Sequence, residues 1–400
     1  CYLHRKLNLT SIVQVNYSYN EFTIRDHKNI LLHQMPVLKE SRPLRYFTFF
    51  YLYVMQGIPS GFALTAITNF LAAKQRSSYE VGSFVAIVGL PWVIQFVWGP
   101  IIDRYQYSII GHRKQWVVLT QFFAMLASTS LLLVNDPVEQ LPLLTLVFFI
   151  HSVFASIQDA SVDAMAISIV PEQERGRVNA FMRGGYLFGI ALGSAGLSTV
   201  LLHSGFFVAA ATQTTCLLLM TILTFFIKLN RQDRIFPEFS FFKKNRNKIA
   251  KLSGPDLKAL FATLFEGITS RSNLKVFLII ALVYTCMSFF IRSFSFHLIH
   301  NLKWSDNSLS VMQGGWGILV TISVILAGGV LADRIGPLKL QFYVMFILGI
   351  LLMLFSSFYV NWELKMISTT GLIMWNFADP MFSVAAMPVL MKLTTALFTQ

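Results

Sequence analysis

Two carboxylates inside an apolar stretch, Asp159 and Asp163, carry the strongest chemical signal in this sequence. With Ser152 and Ser156 they follow spacings of four, three and four residues, which places all four side chains on one face of a helix. A carboxylate near the centre of a bilayer costs about 2.5–3.5 kcal/mol. This face is therefore predicted to line a cavity or contact another helix, where a carboxylate carries a proton or contacts a solute.

Further polar residues within apolar segments are candidates for the same cavity. Asp163 and Arg183 lie at nearly the same depth on consecutive helices, so we predict that they pair. Asp159 has no such cation and is the better proton carrier. Arg292 either receives an anionic solute or extends its charged end to the interface. Proline opens the backbone ladder at Asp379-Pro380. The remaining candidates are Gln56, Gln158 and Asn376.

A short charged motif occurs twice, each time after an apolar segment. A repeat separated by about 230 residues indicates two related halves with the same hairpin at the same membrane face. We expect the two hairpins to form a gate on that face. The residues of the motif are Gly99, Asp103, Arg104, Arg113 and Lys114 in the first copy and Gly329, Asp333 and Arg334 in the second.

Composition places the chain among membrane proteins. Of its 400 residues 55% are hydrophobic and 13% are charged, whereas a soluble domain carries about 25% charge. The net charge of +13 does not indicate nucleic-acid binding, because the basic residues flank the apolar segments. The three cysteines and eight histidines show no disulfide framework and no metal-ligand spacing.

The apolar segments divide the chain into four parts. We predict an N-terminal cytoplasmic segment 1–43, a six-helix half 44–228, a cytoplasmic linker 229–273 with an amphipathic helix over 255–270, and a second half 274–400. The chain begins with Cys1, so residues before Met35 are expected to be an upstream extension or the result of a mis-called start, and two C-terminal helices are expected to be missing. The ten predicted membrane helices are 44–72, 80–102, 115–135, 141–169, 178–202, 205–228, 274–299, 307–332, 337–359 and 362–391.

The distribution of basic residues gives the orientation. One set of loops, with the N-terminal segment and Lys392, carries 26 of the 32 Lys and Arg, and the opposite loops carry four. Positive charge accumulates on the cytoplasmic side of membrane proteins. The N-terminus, the linker and both Asp-Arg hairpins are therefore predicted to be cytoplasmic.

Two groups of residues resemble the muropeptide permease (AmpG-type) branch of the major facilitator superfamily. The resemblance covers about residues 45–400, and the acetyl-CoA transporter branch has similar motifs. Arg183 fits no pattern of the family, and the fifth helix lacks the Pro-containing antiporter signature, which disfavours exchange. The matching stretches are Trp98-Gly-Pro-Ile-Ile-Asp103-Arg104-Tyr, Gly111-His-Arg113-Lys114-Gln-Trp116, Ser156-Ile-Gln158-Asp159-Ala-Ser-Val-Asp163-Ala and Pro171-Glu-Gln-Glu-Arg175-Gly176.

The resemblance implies an all-α membrane protein with the major facilitator fold of two six-helix halves. It implies a secondary active transporter of the bacterial inner membrane, which imports an anhydro-muropeptide or a related cell-wall sugar-peptide with protons by alternating access. The expected partners are this small-molecule solute, protons and the lipid bilayer. We expect a monomer that is not an enzyme and that uses no metal or cofactor.

Alternative functions remain open from the residues alone. The same superfamily includes carriers of acetyl-CoA-like and other organic anions, and a receptor with this fold transports nothing. An intramembrane aspartyl protease is disfavoured, because that chemistry needs two facing carboxylates, usually from two helices, whereas Asp159 and Asp163 share one helix. Uptake of labelled solute into vesicles separates a carrier from a receptor.

Overall fold

Long helices make up most of the chain. The fold is taken from a computed structural model that describes residues 36–106, 108, 110–171, 174–233 and 256–398. A first group comprises α1 (Arg42–Ala73), α2 (Ser78–Arg104), α3 (Lys114–Leu133), α4 (Leu141–Ile169), α5 (175–204) and α6 (206–226). After α7 (Leu257–Thr269), a second group comprises α8 (Arg271–His300), α9 (306–335), α10 (Pro337–Ser357) and α11 (Lys365–Phe398).

Each of the ten predicted membrane segments coincides with a described helix. Among the described residues, seven stretches are long and apolar enough to cross a membrane, and one of them, Arg177–Phe226, covers nearly all of α5 together with α6. The number of crossings therefore stays a prediction, as does the division into domains. Residues 1–35 and the basic part of the linker, 234–255, lie outside the described residues. The amphipathic segment predicted at 255–270 is helical as α7 and contacts the last turns of α2.

Local sequence explains where these helices begin and break. Ser41 caps α1, and Ser77 forms a capping box with Glu80 at the start of α2. Gly205 separates α5 from α6 with a φ of 82°, a conformation that glycine adopts without steric cost. In the described part of the chain three helices contain a wider π-helical turn, namely Phe62–Ile67 in α1, Leu192–Gly196 in α5 and Val311–Trp316 in α9.

Small residues bring α1 and α5 into backbone contact. A Cβ on Gly185, Gly189 or Gly193 would meet the carbonyl oxygen of Phe50, Val54 or Ile58, respectively. These three glycines form a close-packing face on α5, and its partner is α1. Matching glycines on α1, Gly57 and Gly61, lie against the backbone of α5 at Tyr186 and Ile190.

The two groups of helices contact each other mainly at one end. We call this the closed end; it carries the loops 74–77, 134–140 and 301–305. The opposite end, which carries the loop 105–113, we call the hairpin end. At the closed end Asn69 Nδ2 of α1 donates to Ser310 Oγ at 2.9 Å and to Gln313 Oε1 at 3.2 Å, both on α9. Ser198 of α5 donates to Asn307 Oδ1 at 2.8 Å. These are among the hydrogen bonds that described residues form between the two groups.

Candidate functional site

The polar face of α4 lies against α1 and α2. Asp159 Oδ2 accepts a hydrogen bond of 2.7 Å from Gln95 Nε2, and Asp163 Oδ1 accepts one from the Tyr53 hydroxyl. Ser156 Oγ accepts from Trp98 Nε1 at 3.2 Å. The prediction that this face contacts other helices is therefore confirmed for these three residues. Their role in transport stays a prediction.

The donors reach α4 because α2 is not a regular helix near its end. Pro91 precedes a 3₁₀ segment at Gln95–Val97, after which the helix resumes at Trp98. Gln95 and Trp98 are three residues apart and share a face, as do Ser156 and Asp159 on α4. The two pairs therefore bond across a single contact between α2 and α4.

Neutral groups donate hydrogen bonds to both carboxylates. Tyr53 and Gln95 donate without carrying charge, and Gln56 faces Asp159 at longer range. Among the described residues, no Lys, Arg or His nitrogen lies within 4.0 Å of Asp159 or Asp163. Asp159 is half-buried and Asp163 is exposed, so neither charge is fully removed from water. The arrangement can therefore hold the carboxyl groups with or without a proton, because amide and phenol donors bond to either form.

The predicted ion pair between Asp163 and Arg183 is wrong. The Arg183 guanidinium lies 5.8 Å from the centre of the Tyr186 ring, and Asp163 accepts its hydrogen bond from Tyr53 instead. The reason is the face on which Arg183 stands. Two residues before Gly185, it points about 200° away from the face that packs on α1. Depth alone predicted the pair, and helix rotation decided against it.

The two predicted glutamines of the cavity are both buried. Gln56 and Gln158 are 4% and 2% exposed, and each has an Nε2 without a hydrogen-bond partner in the described part of the chain. Gln56 lines a cavity of about 10 Å³ with Ser60, Ser152 and His151, at the lower limit of what holds one water molecule. Gln158 stands about 100° around α4 from Asp159 and is not part of this cavity lining.

The predicted residues of α11 and α8 contact neighbouring helices. The side chain of Asn376 lies against Gly317 of α9, because a Cβ on Gly317 would overlap it. The backbone carbonyl oxygen of Asn376 accepts a hydrogen bond from the Thr321 hydroxyl. Asp379 is half-buried. Arg292 Nη1 donates to the carbonyl oxygen of Leu64 in the π-helical turn of α1. Arg292 therefore joins the two groups of helices below the closed end.

The first hairpin is held by ionic contacts within its own group. Arg113 Nη2 donates to Asp103 Oδ1 at 2.7 Å, and its Nη1 donates to the Ala164 carbonyl of α4 at 2.7 Å. Lys114 Nζ donates to the Phe225 and Ile227 carbonyls at 2.9 Å and 2.5 Å, so it caps the C-terminus of α6. Lys114 is thus a structural residue in this conformation.

The other residues of the repeated motif are described by their exposure and by the space around them. Arg104 is half-buried, and a Cβ on Gly99 would meet nothing within 4 Å. In the second copy, Arg334 is exposed at the end of α9. The side chain of Asp333 and the surroundings of Gly329 lie outside the described residues. The gating role of both copies stays a prediction.

Sequence analysis missed an ion pair at the hairpin end. Glu174, which immediately precedes α5, accepts bonds from Arg45 Nη2 at 2.8 Å and from Arg42 Nε at 2.7 Å. Arg45 is 3% exposed and also donates to the Leu38 and Lys39 carbonyls. The hydrogen bond from Arg45 lowers the pKa of Glu174 below its usual value. A buried arginine in the first turn of a membrane helix was the available signal.

Sequence comparison identifies bacterial relatives. The model of the Major Facilitator Superfamily matches residues 46–397. "Putative transporter AmpG 3" of Rickettsia prowazekii is 23% identical over 295 residues, 71% of this chain and 67% of the relative. "Anhydromuropeptide permease" of Escherichia coli is 24% identical over 305 residues, 74% of this chain and 57% of its own length.

Structural comparison gives the same architecture. The xylose transporter XylE from E. coli, in a partially occluded inward-open conformation, aligns with a TM-score of 0.60 at 12% identity and covers 88% of each chain. A bacterial homologue of the human lysosomal transporter Spinster, inward-facing, aligns with a TM-score of 0.57 over 89% of this chain and 80% of its own. At these identities the likeness shows the fold alone.

Proposed function

Because the chain belongs to the major facilitator superfamily, we propose that it is a secondary active transporter of the bacterial inner membrane. Its cargo is an anhydro-muropeptide or a related cell-wall sugar-peptide, imported with protons by alternating access. Similarity to relatives named for anhydro-muropeptides supports the cargo. The family and the helical architecture make a transporter, and not an enzyme, the function to test.

The observation that carries the proton step is the environment of Asp159. Its carboxylate is held by Gln95 at 2.7 Å, and among the described residues no cation lies within 4.0 Å. Without a fixed counter-charge the group changes its charge by taking up a proton. Asp159 lies ten residues from the end of α4, roughly 15 Å from the hairpin end. At this depth the carboxyl group can become accessible first from one side of the membrane and then from the other as the helices move.

Contacts between the two groups of helices support an inward-open conformation. Asn69 bonds to Ser310 and Gln313 at the closed end, and Asp103 and Arg113 of the first hairpin bond within their own group. The strong excess of basic residues near the hairpin end supports a cytoplasmic location for it. In this conformation cargo leaves toward the cytoplasm, and import requires the closed end to open next.

The test is uptake of labelled anhydro-muropeptide by proteoliposomes, with and without an imposed pH gradient. The wild type is expected to accumulate cargo when the outside is acidic. Asp159→Asn is expected to lose accumulation but to keep exchange of labelled for unlabelled cargo at equal pH, because it keeps the shape and loses the proton. Glu363→Gln, an exposed carboxylate at the closed end, is the matched control and should accumulate cargo as the wild type does.

Each contrary outcome has a defined meaning. Accumulation by Asp159→Asn would move the proton site elsewhere, with Asp379 next in line. Uptake of acetyl-CoA or another organic anion in place of the muropeptide would refute the cargo. Failure of the wild type to move any of these solutes would favour a receptor.

A further inference from the structure

Arg292 is a cation in the membrane interior without an acidic partner. It is half-buried on α8, and one of its nitrogens donates to the Leu64 carbonyl oxygen across the boundary between the two groups of helices. Among the described residues, no carboxylate oxygen lies within 4.0 Å of it. A neutral carbonyl compensates a full positive charge only in part.

The position of Arg292 keeps it from the outer solution in this conformation. It lies eight residues before the end of α8, and Leu64 lies nine residues before the end of α1, so both are roughly 12–14 Å below the closed end. Above them, Asn69 bonds to Ser310 and Gln313. Gln313 in turn donates to Ser295 at 2.6 Å, three residues along the same face of α8 as Arg292.

Opening the closed end separates Arg292 from its partner. The bond joins α1 of the first group to α8 of the second, so any movement that parts these helices at the closed end removes the Leu64 oxygen. The guanidinium has five N–H donors in a planar fork that matches the two oxygens of a carboxylate. In the outward-open protein it would be a cation without a protein partner that faces the entering solute.

We propose that Arg292 binds a carboxylate of the transported solute when the closed end is open, and that the Leu64 carbonyl replaces this carboxylate when the closed end shuts. The proposal rests on the proposed function and assigns the cargo to the carboxylate-bearing class. Because the partners exchange, Arg292 binds the carboxylate more tightly when the site is open to the outside than when it is open to the inside. It therefore favours uptake on one side and release on the other.

Binding measurements test the carboxylate. Purified protein is titrated with an anhydro-muropeptide that has free carboxylates and with its methyl ester. A hydrogen-bonded charge pair predicts that Arg292→Gln weakens binding of the free acid about ten- to a hundredfold. Arg292→Gln should leave the ester nearly unchanged, and Arg292→Lys should restore part of the affinity. Arg76→Gln, an arginine at the closed end that pairs with Glu80 within its own group, is the matched control.

Distance measurements test, without cargo, whether the bond between Arg292 and Leu64 helps to hold the closed end shut. Spin labels at positions 74 and 301, on exposed residues at the closed end, report its opening once Cys1, Cys216 and Cys286 are replaced by Ser. Arg292→Gln should shift the distances toward longer values, because it removes a bond that exists only when this end is closed. The same shift in Arg76→Gln, or no shift in Arg292→Gln, would overturn the proposal that the bond from Arg292 to Leu64 stabilises the closed conformation of this end.

The two measurements separate the proposals. If the wild type binds neither form of the muropeptide, the proposed cargo fails. Sodium acetate against sodium chloride at equal ionic strength then tests the site by the label distances. A lengthening by acetate in the wild type but not in Arg292→Gln supports a carboxylate site. Equal loss of affinity for acid and ester, or an equal response of both proteins to acetate, would refute it.

Discussion

Adjacent glycines on α5 offer a test of how this protein is packed. A Cβ on Gly185 would overlap the carbonyl oxygen of Phe50 and come within 3.0 Å of its carbonyl carbon, whereas a Cβ on Gly184 would meet nothing within 4 Å. The atoms in the way are backbone, so they cannot move aside without separating α1 from α5. Gly185→Ala should therefore destabilise the protein, and Gly184→Ala should not.

The magnitude follows from two effects. Replacing glycine by alanine inside a helix stabilises it by about 0.5–1 kcal/mol, and both variants share this gain. Overpacking costs about 1–3 kcal/mol and applies only to Gly185→Ala. The difference between the two variants isolates the overpacking and should be about 1–3 kcal/mol.

The assay is the free energy of unfolding of each variant in lipid bicelles, measured by steric trapping with the wild type alongside. Transport by Gly184→Ala confirms that the helix as such tolerates the methyl group. Equal stability of the two variants would mean that α1 and α5 do not approach as closely as Gly185 and Phe50 indicate.

Two further predictions concern the hairpin end. The pKa of Glu174 is lowered by Arg45, so its contribution to stability is present above its ordinary pKa and is lost as the pH falls through the lowered value. Glu174→Gln should therefore unfold at a lower temperature than the wild type at neutral pH, and the gap should close in acid, while a constant gap would contradict this. Asp103→Asn keeps the shape of the side chain but removes the charge that the predicted gate needs when the hairpin end closes, so we expect normal expression, slower uptake and a larger inward-open population; unchanged uptake would argue against a gating role.

Periodicity and charge were enough to predict the helices and the contact of the α4 face with other helices. Asp159 and Asp163 could be placed on one face because helical spacing depends only on the chain itself. Their donors could not be found in this way. Tyr53 and Gln95 belong to other helices, and how each helix is rotated about its axis is decided by packing, here by glycines on α1 and α5.

The same limit explains the wrong pairing of Arg183. Sequence distance gives depth along a helix, and depth matched Asp163. The direction of the side chain depends on which face of α5 packs on α1, and Gly185 determines that face. Lys114 differs from Arg183 in that it belongs to a recognised motif. Its contact with the Phe225 carbonyl at the end of α6 still could not be predicted, because no local pattern encodes it.

The π-helical turn at Phe62–Ile67 changes how α1 must be read. Such a turn contains one residue more than an α-helical turn, so it advances the phase of every later residue by about 100°. Gly57 and Gly61, before the turn, face α5, while Asn69 and Ala72, after it, face the second group of helices. The residues before and after the turn therefore need separate helical wheels. A single wheel drawn through the whole of α1 would place residues that face α5 and residues that face the second group of helices at wrong relative angles.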